Sequence, residues 1–250
     1  MKLELARLGS VCFGCMTLAW ALVSFPVFWR AADPERVAFD ITAGRSFRTD
    51  LIGRDIAEME ALNASGLCRA RARRAEAILR LYLYEDAFAK GRTDLFDAAS
   101  LPLASSLRAA LQCDPSDAYL WLLLFSVENT TRGFRPDNLE YLRMSYDFGA
   151  HEGWIALKRN PVALAMFSAL DQSLARRALD EFAALVENGL FEESANIFAG
   201  TPPAIRDKLL ERLSDIPIEN RRRFSKAITE QLPSVVIPGV GREARQPWER

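Results

Sequence analysis

The chain is poor in the residues that most enzymes depend on. It has one histidine, His151, among 250 residues, which excludes a histidine-based metal cluster and leaves a single imidazole for any serine triad. No GxSxG elbow accompanies that histidine, so nothing marks an exposed nucleophilic serine. His151 stands beside Glu152 in what reads as an inter-helix turn, where capping or plain exposure is expected. Cysteine is scarce too, with four in all, and two of these, Cys12 and Cys15, fall in an apolar run without an aqueous redox or metal partner. Excess charge of either sign is missing: 32 Lys and Arg balance 33 Asp and Glu, so no bulk field draws the chain to nucleic acid or to anionic lipid. Gly239-Val240-Gly241 lacks the flanking strand and helix of a phosphate loop. These absences predict no catalytic residue, no cofactor and no metal.

What is present begins with Leu8 to Trp29, twenty-two positions without a charged side chain. As a helix rising about 1.5 Å per residue the run is roughly 33 Å long, enough for a hydrocarbon core of about 30 Å. It exceeds the usual apolar region of a cleaved leader, and Arg30 replaces the small residue that a cut after Ala32 would need. A membrane anchor is therefore expected, preceded by a short tail over residues 1–7. Lys2 and Arg7 before it and Arg30, Arg36 and Arg45 after it leave the charge bias undecided. The short tail and the ease with which long domains translocate favour an outward-facing body in a bacterial inner membrane, hence a periplasmic one.

The remainder reads as all-α. Residues 30–66 suggest a linker, opened by Asp33-Pro34 and possessing an alternation at Val37 to Ile41 that fits an extended segment, before a short helix through Leu51, Ile56, Met59 and Leu62. A helical domain spans 67–232. Cys68 to Lys90 is rich in Ala, Arg and Leu and ends before Gly91. Its arginines, Arg69, Arg71, Arg73, Arg74 and Arg80, are spread round the cylinder without interleaved aromatics, which argues for a solvated face over a nucleic-acid patch. Ser100 to Cys113 follows, with Pro102 in its first turn, and Asp114-Pro115 is placed to cap the next helix, Ala118 to Phe125. Pro136 opens a helix to Gly149, a short helix follows up to a break at Pro161, and Asp171 to Val186 is amphipathic. Three further helices cover Phe191 to Phe198, Ala204 to Leu213 and Glu219 to Gln231. Residues 233–250 carry Pro, Gly and charge without periodicity and are expected to be a flexible tail.

Cys68 at the start of one helix and Cys113 at the end of another would meet if the two pack antiparallel, so a disulfide is a candidate, with two buried thiols as its alternative. Tyr146, Trp154, Lys158 and Arg159 form an aromatic and basic group that could border a binding face for an extended peptide or a sugar polymer. Inter-helix packing of the tryptophans is the competing account.

A period of 33 residues links Trp121 to Trp154, each followed three positions later by a leucine, Leu124 and Leu157. Upstream, Leu103, Leu107, Ala110 and Pro115 stand at spacings suited to a second repeat helix and its closing proline. Over residues 68–190 this resembles a tetratricopeptide-like array of antiparallel helix pairs, although Phe125 and Glu128 replace the expected Gly and Tyr. Such an array implies a core at the repeat positions and a partner-binding role. The stretch YLRMSYDFGAHEGWIALKRNP, from Tyr141 to Pro161, is similar to a group of proteobacterial membrane-anchored proteins that accompany exopolysaccharide assembly. That resemblance implies a scaffold or adaptor in an envelope complex making or exporting polysaccharide. A carbohydrate-processing enzyme acting through carboxylates and a cytoplasm-facing membrane tether are the alternatives.

Overall fold

The structure is a computed structural model that describes residues 2–241, the side chains of 2–6 and of 8 excepted. Eleven α-helices and two 3-10 turns account for its regular structure, with no strand among the described residues. The chain is all-α and divides into two compact units, residues 1–116 and 117–250.

The first unit is built on α1, Lys2–Thr42, one helix of 41 residues. Its apolar part is long enough to cross a membrane and is unburied; Val11, Phe13, Met16, Trp20 and Phe28 all project into open space. The helix does not stop at Trp29. It continues through the stretch expected to be a linker, and the segment Val37 to Ile41 is helical, not extended. The reason is tertiary. Ala31, Pro34 and Ala38, spaced by three and four, form one small-residue face that is buried where α1 packs on α2 and α3. That burial outweighs the hydrogen bond lost at Pro34.

The helix α2, Thr49–Asn63, buries Ile52, Ile56, Met59 and Asn63 along one stripe. Next, α3, Ala70–Ala89, ends at a turn where Gly91 takes φ +63°. The following helix, α4, Thr93–Cys113, starts two turns before Ser100, so Pro102 lies inside it rather than in its first turn. The additional turns are held by Phe96, whose ring sits 4.4 Å from Tyr84 and 5.5 Å from Phe88. Leu103, Leu107 and Ala110 are buried along its inner face.

In the second unit α5, Ala118–Arg132, is capped by Asp117, whose carboxylate accepts from the Tyr119 and Leu120 amides at 3.1 Å. Asp114, the expected cap, instead accepts from the Ser116 amide at 3.1 Å, and Pro115 is exposed in that turn, outside the helix. After a 3-10 turn at Pro136–Asn138 come α6, Leu139–Phe148, and α7, Gly153–Ala165. Pro161 does not break α7, which runs on for another turn before a second 3-10 turn at Phe167–Ala169. Then follow α8, Gln172–Glu187, α9, Phe191–Gly200, α10, Pro203–Leu213, and α11, Ile218–Thr229.

Phe182, Phe198 and Phe224 are fully buried and meet pairwise at 5.9 to 6.2 Å, at the centre of α8, α9 and α11. The chain beyond Pro233 is not loose as far as it is described. Ile237 is 1% exposed, and Arg221 donates to the Pro238 carbonyl at 2.6 Å. The rest of the expected tail, residues 242–250, lies outside the described residues.

Candidate functional site

The aromatic and basic group on α6 and α7 splits into two layers. Trp154 and Lys158, four residues apart, share one face of α7 and are exposed. Arg159 is turned about 100° away from Lys158 by the helical repeat and faces inward. Arg159 is 0% exposed. Tyr146, on α6, is buried as well, so these two belong to the interior and not to a partner-binding surface.

The guanidinium of Arg159 is held on every side. Its Nε donates to Glu181 Oε1 at 3.0 Å, and one terminal nitrogen donates to the same oxygen at 2.5 Å and to the Gly149 carbonyl at 3.0 Å. The other donates to the Ser145 carbonyl at 2.5 Å and to its hydroxyl at 3.1 Å. Five N–H donors thus have five bonds, which satisfies the buried cation completely. Two of the acceptors are carbonyls at the end of α6; each also takes a backbone amide, Ser145 from Gly149 at 3.1 Å and Gly149 from Glu152 at 3.4 Å, and Arg159 adds a cation at the negative end of that helix, where it serves as a C-terminal cap. The guanidinium carbon also lies 4.1 Å from the Tyr146 ring centre.

Glu181, on α8, is the buried counter-charge. Its second oxygen accepts from the Tyr146 hydroxyl at 3.1 Å and from Asn160 Nδ2 at 3.3 Å. Burial pushes the Glu181 carboxyl above its ordinary range while Arg159 pulls it back. Burial, followed by the charge of Glu181, drives the Tyr146 phenol well up. Gly149 makes room for the arrangement: a Cβ there would come within 2.6 Å of the Ala118 Cβ. The cluster ties α6, α7 and α8 together. Its ionic groups are satisfied by one another and sealed from solvent, which suits it to positioning rather than to turnover.

Above this interior lies the exposed layer. Trp154 is 42% exposed. Its indole nitrogen donates to Glu152 at 3.1 Å, and its ring sits 4.9 Å from the ring of buried Tyr119. Lys158 stands 5.9 Å over the same Tyr119 ring. An aromatic plate with a cation and a carboxylate beside it can stack on a planar or sugar surface and hydrogen-bond to its polar edge. His151 and Glu152 are exposed in the turn before α7.

The repeat positions divide similarly. Leu124 is buried, Trp121 and Leu157 are half-buried, and Trp121 stacks on Tyr141 at 5.9 Å.

In the first unit Cys68 and Cys113 form a disulfide with their Cα atoms 5.5 Å apart. It joins the entry of α3 to the exit of α4, across the open end of that hairpin. Cys12 and Cys15 are free and exposed on α1.

An open groove of about 480 Å³ lies between the α8–α9 turn and α11, lined by Glu187, Asn188, Phe191, Glu219, Asn220 and Arg223. Arg223 Nε lies 3.3 Å from the Glu219 carboxylate. Sequence reasoning singled out Arg159 for the wrong layer and missed Glu181. A buried arginine and its acid on different helices leave no periodic mark, and Glu181 is one of many acidic residues on an amphipathic helix.

No family model, no curated protein and no solved structure matches the chain.

Proposed function

We propose that the chain is a single-pass inner-membrane protein whose helical body works as a scaffold or adaptor in a bacterial envelope complex. The observation that carries this reading is α1, an unburied apolar helix that runs without interruption into the packing of the first unit. A rigid join between anchor and body suits a part that holds other components at a fixed place. The Cys68–Cys113 bridge supports an outward, periplasmic body, since disulfides persist in oxidising compartments. The helix pair α3–α4 and the succession α5 to α8 are compatible with a degenerate tetratricopeptide-like array, in which Trp154 and Lys158 form the partner-binding face. The likeness of Tyr141 to Pro161 to proteins of exopolysaccharide assembly makes that machinery the first complex to examine.

Two measurements test the reading. The full chain should stay in the membrane fraction after alkaline carbonate and come out with detergent; release by carbonate alone overturns the anchor. In mild detergent it should co-purify with one membrane partner at fixed stoichiometry, and purification as an isolated chain that cleaves a polysaccharide would replace the adaptor by an enzyme.

A further inference from the structure

The first unit also has a defined end turned toward the lipid. The Phe47 amide donates to the Tyr82 hydroxyl at 2.8 Å, and that hydroxyl donates back to the Phe47 carbonyl at 2.7 Å. Toward the start of α3, Arg71 acts electrostatically on Glu35 of α1. Asn63 meets Glu76 and Glu60 meets Arg80, so α2 runs antiparallel to α3, and the loop between α1 and α2 lies beside the later half of α3 at Tyr82; α1, which packs on both, therefore runs parallel to α3. Followed toward its N-terminus, α1 therefore leaves the body at the end where α3 begins, α4 finishes and the disulfide lies. Arg71, near the start of α3, feels Glu35, which stands six residues past Trp29, and the non-helical stretch that carries Leu67 precedes α3 on the side toward Trp29. Those six residues rise roughly 9 Å at about 1.5 Å per residue, close to the outer edge of a polar layer about 5 to 7 Å thick on each side of a bilayer.

The chemistry of this end suits that depth. Leu67 is 61% exposed, in the turn that Gly66 makes at φ +73°. The start of α3 beside this turn carries Arg69, Arg71, Arg73 and Arg74, and the part of α1 just past Trp29 carries Arg30 and Arg36 with the carboxylates Asp33 and Glu35. Arg69 and Arg73 brace the turn itself, donating to the Leu62 and Asn63 carbonyls at 2.9 Å.

We infer that the disulfide-bearing end of the first unit is a lipid-contact surface, with Leu67 dipping into the headgroup layer and Arg30 and Arg71 meeting phospholipid phosphates. This rests on α1 being a membrane anchor. An exposed leucine and a cationic collar at the level where the anchor emerges fit an anionic bilayer surface.

The test uses the full chain in lipid nanodiscs, with Cys12 and Cys15 replaced by Ala and one nitroxide at Ala64→Cys or at Lys90→Cys, the native disulfide being kept. One label per chain, by mass, verifies this. A nickel-chelating headgroup lipid should relax the label at 64 several-fold more strongly than the label at 90, which lies near the far end of α3. In discs containing phosphatidylglycerol, Arg30→Glu with Arg71→Glu should lower the relaxation at 64 at least two-fold. Equal relaxation at the two sites, a stronger effect at 90, or no response to the charge reversals overturns the proposal. A chain that does not enter the disc at all overturns the anchor instead.

Discussion

Arg159 shows how one side chain can fix the join between three helices. Replacing it with Met leaves the Glu181 carboxylate buried without its cation and strips the α6 terminus of its cap. Breaking a buried pair from one side costs about 3 to 5 kcal/mol, so R159M is expected to lose that much in denaturant unfolding. The pH dependence has a definite sign. In the folded protein the Glu181 carboxyl is raised above its unfolded value, mainly by burial. Such a group favours folding below the unfolded carboxylate range and loses that contribution as pH rises through the folded value. In R159M the largest opposing influence is gone and only the bonds from Asn160 and Tyr146 still hold the carboxyl down, so the variant's deficit should shrink between neutral and mildly acid pH as Glu181 takes up a proton. A deficit that stays constant with pH would rule out Glu181 as its source. This network is not legible in the sequence for a plain reason: Lys158 and Arg159 are adjacent and chemically alike. Only the direction each takes from α7 separates a surface cation from a core one.

At the level of the elements, the disulfide and the prolines are the instructive features. A bridge that closes a loop of 45 residues stabilises by about 4 kcal/mol in the chain-entropy model. Accordingly the C68S/C113S pair should lower the unfolding free energy of the first unit by about that amount, and the denatured, unreduced wild-type chain should show two reactive thiols rather than four. Helix identity was largely legible, because Ala- and Leu-rich segments with apolar spacings of three and four admit few alternatives. The boundaries were less so. Pro34, Pro102 and Pro161 each looked like a stop or a start, yet each lies within a helix. In each case burial of neighbouring residues on the same helix outweighs one missing hydrogen bond, and that burial depends on partners distant in sequence. The cap before α5 illustrates the same limit, since Asp114 and Asp117 are both competent N-caps and the turn through Ser116 selects the second.

For the whole molecule, the division into two units assigns the anchor and the exposed Trp154 face to different bodies. On the adaptor reading, Trp154→Ala with Lys158→Glu should abolish co-purification of the membrane partner by at least ten-fold. Far-ultraviolet dichroism and membrane retention should be unchanged, because both side chains lie outside the core. Loss of fold in this variant would return Trp154 to a packing role over Tyr119, and unchanged co-purification would move the partner surface elsewhere. The all-α class and the apolar N-terminal helix were open to a reader of the sequence, since both rest on local periodicity and composition. The place where α1 meets the body was not. Its contact stripe consists of two alanines and a proline, too small and too few to stand out in a sequence.

The bridge between Cys68 and Cys113 also has a mechanical side. On the anchor reading, any pull along the chain between α1 and the second unit enters at residue 68 and leaves at residue 113 through a covalent bond, bypassing the α3–α4 hairpin. Some 45 residues of slack, on the order of 150 Å at about 3.3 to 3.6 Å per extended residue, are thereby withheld. Under load the chain keeps its length, and it would release that hidden length only where a reductant reaches the bond.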